Sequence, residues 1–173
     1  MNRINPLSLE QATADTRPLL EGVQKKIGFL PNVFKTLAHA PAVLAAYLQQ
    51  SVALGKTSLS AGDKEAIFLA TSQVNGCDYC LAAHTLFAGK AGLSAPDILS
   101  ARQGELNAYA ALARQITDRR GHLSSEQIEA ARAAGIDDAK IIEVIAHVAS
   151  QTLTNYLNNV ALTEIDFPAI DGE

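Results

Sequence analysis

The stretch EAIFLATSQVNGCDYCLAAHT, Glu65 to Thr85, reads as two helices separated by Asn75-Gly76. Ser60 has the chemistry of an N-cap, and Asp63 and Glu65 follow near the positive end of the helix dipole. A helix is therefore expected from Ser60 to about Val74, where the NG pair interrupts it. The next helix starts near Asp78 and ends at AGL, Ala91 to Leu93. No strand-like alternation separates them.

Working outward, helix signals recur on both sides. Ser8 with Gln11 reads as a capping box opening a helix toward Ile27, which GFLPN (Gly28 to Asn32) ends. Two short helices are expected at Pro31 to Ala38 and Pro41 to Leu54, each opening with a proline, whose missing N–H costs little there. Ser94 with Asp97 marks a further cap. Longer helices are expected at about Glu105 to Arg120, Ser125 to Ala134 and Asp138 to Asn159. In the last, Ile141, Ile145, Val148 and Thr152 form one stripe, and Glu143, His147, Gln151 and Thr154 another. The residues after Glu164 look irregular. The expectation is an all-α fold in one domain, residues 1–173.

Composition narrows the classes. The 173 residues are 48% hydrophobic and include about thirty alanines, which favours helix. A net charge of −4 without a basic stripe argues against a nucleic-acid partner. The polar, proline-broken N-terminus is not a signal peptide, and no apolar run has the length of a membrane span. A cytoplasmic location without membrane contact is expected. In that reducing setting, a close cysteine pair is redox-active or metal-binding rather than a structural staple.

The only two cysteines are Cys77 and Cys80, with His84 four residues further on. If a helix begins near Cys77, Cys77 and Cys80 differ by about 60° around its axis and Cys80 and His84 by about 40°. All three then point the same way. The spacing also permits the Cα separation that a disulfide requires. Cys80 would sit in the first turn, where the dipole and free N–H groups favour a thiolate, and His84 could take its proton. Two other readings remain at this point. Cys77, Cys80 and His84, with Glu65 as fourth ligand, would make an uncommon zinc set, and two inert buried thiols would need no partner.

The full spacing, glutamate, eleven residues, Cys-x-x-Cys, three residues, histidine, resembles the core motif of the AhpD-like (alkylhydroperoxidase D) branch of the carboxymuconolactone decarboxylase superfamily. Resemblance to its peroxidase-related subfamily extends through GFLPNVFKTLAHAPAVL and TNYLNNVALTEIDFP. The resemblance implies a hydroperoxide reductase without cofactor or metal. Cys80 would be the attacking cysteine, Cys77 the resolving one, and His84 and Glu65 the proton relay. It also implies an external dithiol reductant, a lipoylated or thioredoxin-like protein, and a homo-oligomer, trimeric or hexameric. The founding enzyme has a histidine where this chain has Tyr79, so Tyr79 and His84 are the local candidates to protonate a leaving oxygen. His147, on the polar stripe beside Gln151, is a secondary candidate. Asn155, Asn158 and Asn159 read as interface or capping groups. PAVLAAYL and AIFLA offer apolar surface for subunit contact. A redox sensor without efficient turnover, or a cofactor-free decarboxylase using Glu65 and His84, are the alternatives.

Overall fold

The computed structural model describes residues 2–167. Among them the chain forms nine helices and no strand. They are α1 Arg17–Ile27, α2 Asn32–Leu37, α3 Pro41–Leu54, α4 Ala61–Val74, α5 Asp78–Lys90, α6 Ala95–Gln103, α7 Ala108–Asp118, α8 Ser125–Ala133 and α9 Asp138–Ala161. The all-α expectation holds. No helix among the described residues is long and apolar enough to cross a membrane.

Local chemistry sets the ends. Ser60, Ser94, Ser124 and Asp137 each accept a hydrogen bond from the backbone N–H three residues on, as N-caps do. Two starts differ from expectation. The Ser8–Gln11 bonds form, at 2.8 and 3.4 Å, but they close only a turn, and α1 begins at Arg17. Pro18 explains this: inside a helix running from Ser8 its ring would clash with the preceding turn, whereas in a first turn it fits. Likewise α7 starts at Ala108 rather than near Glu105, because the Asn107 side chain accepts from Ala110 N–H at 2.9 Å.

Helix α4 is the hub, packing against α5, α6, α7 and α9. Ala66, Ile67, Leu69 and Ala70 are fully buried there, so AIFLA fills the chain's own core and does not serve subunit contact. One apolar cluster joins α4, α5, α6, α7, α8 and α9. A second joins α1, α2, α3 and α5 and contains both cysteines. The site lies where α4, α5 and α9 bring these clusters together.

The long helix α9 corrects the expected stripes. Ile141 and Val148 are buried, but Ile145 is exposed, and the inward face instead carries His147, Gln151, Thr154, Asn155 and Asn158. Burying such polar side chains is tolerated because partners await them on α4 and α5. Outward, Ile142, Ile145, Leu153, Tyr156 and Val160 form an exposed apolar row. Beyond α9 the left-handed Leu162, with φ 49°, turns the chain back over the second cluster. There the Asn32 N–H donates to Asp166 at 2.8 Å, and the Phe167 ring packs edge-on against Phe29, Tyr79 and Phe87. The expected irregular tail is thus irregular but held in place as far as 167, and its remainder lies outside the described residues.

Candidate functional site

The chain reaches α5 through Gly76, whose φ of 60° turns it sharply, and Cys77 becomes the N-cap. The Cys77 sulfur accepts from Cys80 N–H at 3.3 Å, which folds the two thiols over the same helix start. Both are free and buried, with Sγ atoms 2.6 Å apart and the Cys77 S–H donating toward Cys80. From α9, Asn158 Nδ2 donates to Cys80 Sγ at 3.3 Å. These contacts divide the pair. The Cys77 hydrogen bond holds the Cys80 thiol below its ordinary range; burial opposes this, and the charge of His84 and the Asn158 donor reinforce it. The Cys77 thiol moves the other way, raised because it is the donor to Cys80 and because it is buried.

His84 follows Cys80 by one turn of α5, and its Nδ1–H donates to Glu65 Oε2 of α4 at 2.8 Å. Its ring packs against Phe68, centroids 4.7 Å apart, and approaches Phe87 at 6.2 Å. Burial pushes the imidazole down, but the Glu65 carboxylate outweighs it by charge and hydrogen bond, so the net shift is upward. With Nδ1 on Glu65, Nε2 is the ring nitrogen turned away from the carboxylate, and Gln151 is a further hydrogen-bond partner of the ring.

Two cavities meet at His84 and Tyr47. The first, about 90 Å³, holds Cys80 and Asn158 in its wall and is otherwise shaped by Phe34, Phe87 and Phe167. The second, about 310 Å³, is the more polar of the two, with Lys64, Glu65, His147 and Gln151 in its wall. The structure therefore gathers Cys77, Cys80, His84 and Glu65 in one place. Among the described residues, these side chains do not group as a metal-ligand set.

The secondary candidates are placed differently. Tyr79 is buried, and its hydroxyl donates to Asp166 at 2.8 Å while accepting from Val33 N–H at 3.1 Å. With its one proton committed, Tyr79 ties α2 and the C-terminal segment to α5 and is not a donor to a leaving oxygen. That expectation is corrected. His147 sits on the far side of Phe68, whose ring lies 5.4 Å from it, and lines the polar cavity. Its Nε2–H donates to Thr57 Oγ1 at 3.0 Å, since the Thr57 proton goes to the Leu54 carbonyl.

Two asparagines of α9, Asn155 and Asn158, turn out to face the thiols. Asn155 and Gln151 both donate to Ser72 Oγ of α4, at 3.1 and 2.9 Å, and Asn75 Nδ2 donates to Asn155 at 2.9 Å. Asn159 caps the Asn75 carbonyl at 2.9 Å. Only Asn159 keeps the capping role read from sequence; Asn155 and Asn158 do not. The available signal was their spacing, since His147, Gln151, Thr154, Asn155 and Asn158 repeat every three or four residues along one helical face.

Residues 38–116 match the model of the carboxymuconolactone decarboxylase family. No curated protein matches the chain. The AhpD core structure of a peroxidase-related protein from Ralstonia eutropha JMP134 is similar at 27% identity, with a TM-score of 0.84 over 95% of this chain and 92% of that one. A peroxidase-related protein from Silicibacter sp. TM1040 matches at 22% identity and TM-score 0.78, covering 94% and 92%. The debrominase Bmp8 in its apo form matches at 21% and 0.79, covering 95% and 92%. At these last two identities the likeness is one of fold.

Two outcomes follow from this geometry. Tyr79→Phe removes one hydroxyl that serves two partners, so it should cost about 1–3 kcal/mol in urea unfolding. The thiol reaction rate should stay within about twofold, because no reacting proton is lost. For His147, burial first and then the Lys64 charge lower the pKa to about 4, against the opposing pull of Glu143. Between that value and an unfolded pKa near 6.5 the unfolded chain binds the extra proton, so stability falls as pH drops through this window. The loss should approach about 3 kcal/mol, from about 1.4 kcal/mol per unit. Urea titrations at pH 7 and pH 4.5 should show it in the native chain and a smaller difference in His147→Leu.

Proposed function

Since the chain carries a carboxymuconolactone decarboxylase family core on an AhpD-like helical fold, we propose that it is a thiol-dependent hydroperoxide reductase. The observation that carries this reading is the surrounding of Cys80 Sγ. It accepts from Cys77 and Asn158 and lies one helical turn from a histidine already bonded to Glu65. The Cys80 thiolate attacks the terminal oxygen of the hydroperoxide. An S–O bond forms as the O–O bond breaks, and the departing electron pair leaves on the alkoxide oxygen, which takes a proton from His84. The products are an alcohol and a sulfenic acid at Cys80. Cys77 then attacks the Cys80 sulfur, releasing water and leaving a disulfide. An external dithiol, carried by a lipoylated or thioredoxin-like protein in a reducing cytoplasm, restores both thiols.

Magnitudes show why the relay matters. An ordinary thiol with a pKa of about 8.5 is about 3% thiolate at pH 7. Lowering it by two units raises the thiolate about twentyfold but costs several-fold in intrinsic nucleophilicity at a Brønsted slope of about 0.4–0.5. Thiolate formation alone is a modest gain, so the leaving oxygen needs a donor. His84, raised by Glu65, fills that role, and Tyr79 does not.

The outward row of α9, Ile142, Ile145, Leu153, Tyr156 and Val160, supports a homo-oligomer, for which the family resemblance implies a trimer or hexamer. Its spacings of three, eight, three and four residues keep it on one face of the helix, as in a seam between helices. A second copy of the chain would remove this apolar row from water.

The test is steady-state consumption of cumene hydroperoxide with excess dihydrolipoamide. Many equivalents per chain are expected, with the activity abolished in Cys80→Ser. A single equivalent would instead describe a redox sensor. Activity surviving replacement of both cysteines by serine would point to proton-transfer chemistry on Glu65 and His84.

A further inference from the structure

We infer that Asn158 is a catalytic residue whose carboxamide grips both ends of the forming S–O bond, its Nδ2 on the Cys80 sulfur and its Oδ1 on the O–H of the hydroperoxide. The inference rests on the hydroperoxide reductase reading above. Three observations carry it. Asn158 Nδ2 donates to Cys80 Sγ at 3.3 Å, so the side chain touches the reacting atom. Its Oδ1 is buried and has no hydrogen-bond partner among the described residues, although Asn158 itself is only 4% exposed. The same side chain lines the 90 Å³ cavity together with Cys80 and His84.

A buried amide oxygen without a donor is costly, and other polar groups on this face of α9 have found one. Gln151 and Asn155 donate to Ser72, and Asn155 Oδ1 accepts from Asn75. Two atoms on this face are left without a partner, His147 Nδ1 and Asn158 Oδ1, and of these only Asn158 Oδ1 belongs to a side chain that touches the Cys80 sulfur. A hydroperoxide has one proton, and it sits on the terminal oxygen, the atom that sulfur attacks. An acceptor beside the sulfur therefore selects that oxygen and places it on the thiolate. The opposite oxygen is left toward His84, which protonates it as it leaves. In the product the sulfenic acid keeps its O–H on the attacked oxygen, so the same acceptor holds the intermediate until Cys77 displaces water. Both amide ends are used, and the electron and proton balance of the reaction is unchanged.

The experiment separates action on the sulfur from action on the peroxide. In a Cys77→Ser background, where one thiol reports, two second-order rates are measured against pH. One uses cumene hydroperoxide and the other 4,4′-dithiodipyridine, which has no O–H. Asn158→Ala should shift the pH profile of both reactions upward through loss of the Nδ2 donor. After correction to equal thiolate, the peroxide rate should fall about tenfold to a hundredfold, the worth of one or two hydrogen bonds in a transition state, and the dithiodipyridine rate should change less than about threefold. Asn158→Asp keeps an acceptor oxygen, so its peroxide rate at equal thiolate should stay within about threefold of the background. If Asn158→Ala does not fold, the Asp variant decides against the Cys77→Ser background, and a peroxide rate more than about tenfold below it at equal thiolate overturns the inference. Equal proportional losses in both reactions, or an Asp variant as slow toward peroxide as alanine, overturn the inference while leaving the reductase reading intact. A background protein that reacts with dithiodipyridine but not with hydroperoxide overturns both.

Discussion

A negative sulfur held almost out of water is the constraint on which this site depends. Cys80 is 3% exposed, and burial by itself would favour the neutral thiol. The fold answers with donors from separate directions, the Cys77 S–H and the Asn158 amide, with His84 adding its charge. Each alone is a small effect. Together they hold the Cys80 thiol below its ordinary range while Cys77, the donor, is pushed above its own.

Meeting that demand explains the arrangement of helices. Glu65 comes from α4, the thiols and His84 from α5, and Asn158 from α9, so these three must meet on one side of the hub. Phe68 packs between His84 and His147, and the second cavity reaches the relay at His84 and Glu65. The segment after α9 closes the other side: Asp166 binds both Asn32 N–H and Tyr79, and Phe167 covers Tyr79 and Phe87. The residue that differs from the founding enzyme of the resembling family, Tyr79, has become part of this closure. In the proposed reaction the proton chemistry falls to His84 with Glu65 behind it.

What could be read from sequence was what local spacing determines. The Cys77–Cys80–His84 grouping depends on one helix start, and the Asn75-Gly76 break announces it. Glu65 came from the resemblance, and its contact with His84 is made across two helices. The serine caps were equally plain. The first helix was misplaced because the Ser8–Gln11 bonds form without a helix behind them, and Pro18 decides where α1 begins. Roles that depend on distant contacts were not legible. Asn158 meets Cys80 across 78 positions, and Tyr79 meets Asp166 across 87. On α9 the spacing showed a polar stripe without saying what it meets; its side chains turn inward to Ser72 and the thiols, and Ile142 and Ile145 face out. The rule that apolar residues are buried fails there because the buried partners are themselves polar.

The central claim, that Cys80 rather than Cys77 is the activated thiol, is tested most directly by iodoacetamide alkylation of each cysteine against pH, resolved by mass spectrometry of the peptides. The account predicts that Cys80 reacts first, with a midpoint below the ordinary thiol value of about 8.5, and that His84→Ala moves this midpoint upward. Cys77 should remain unreactive until well above that value. A Cys77 that alkylates faster and at lower pH than Cys80 would contradict the account and reverse the roles of the two thiols.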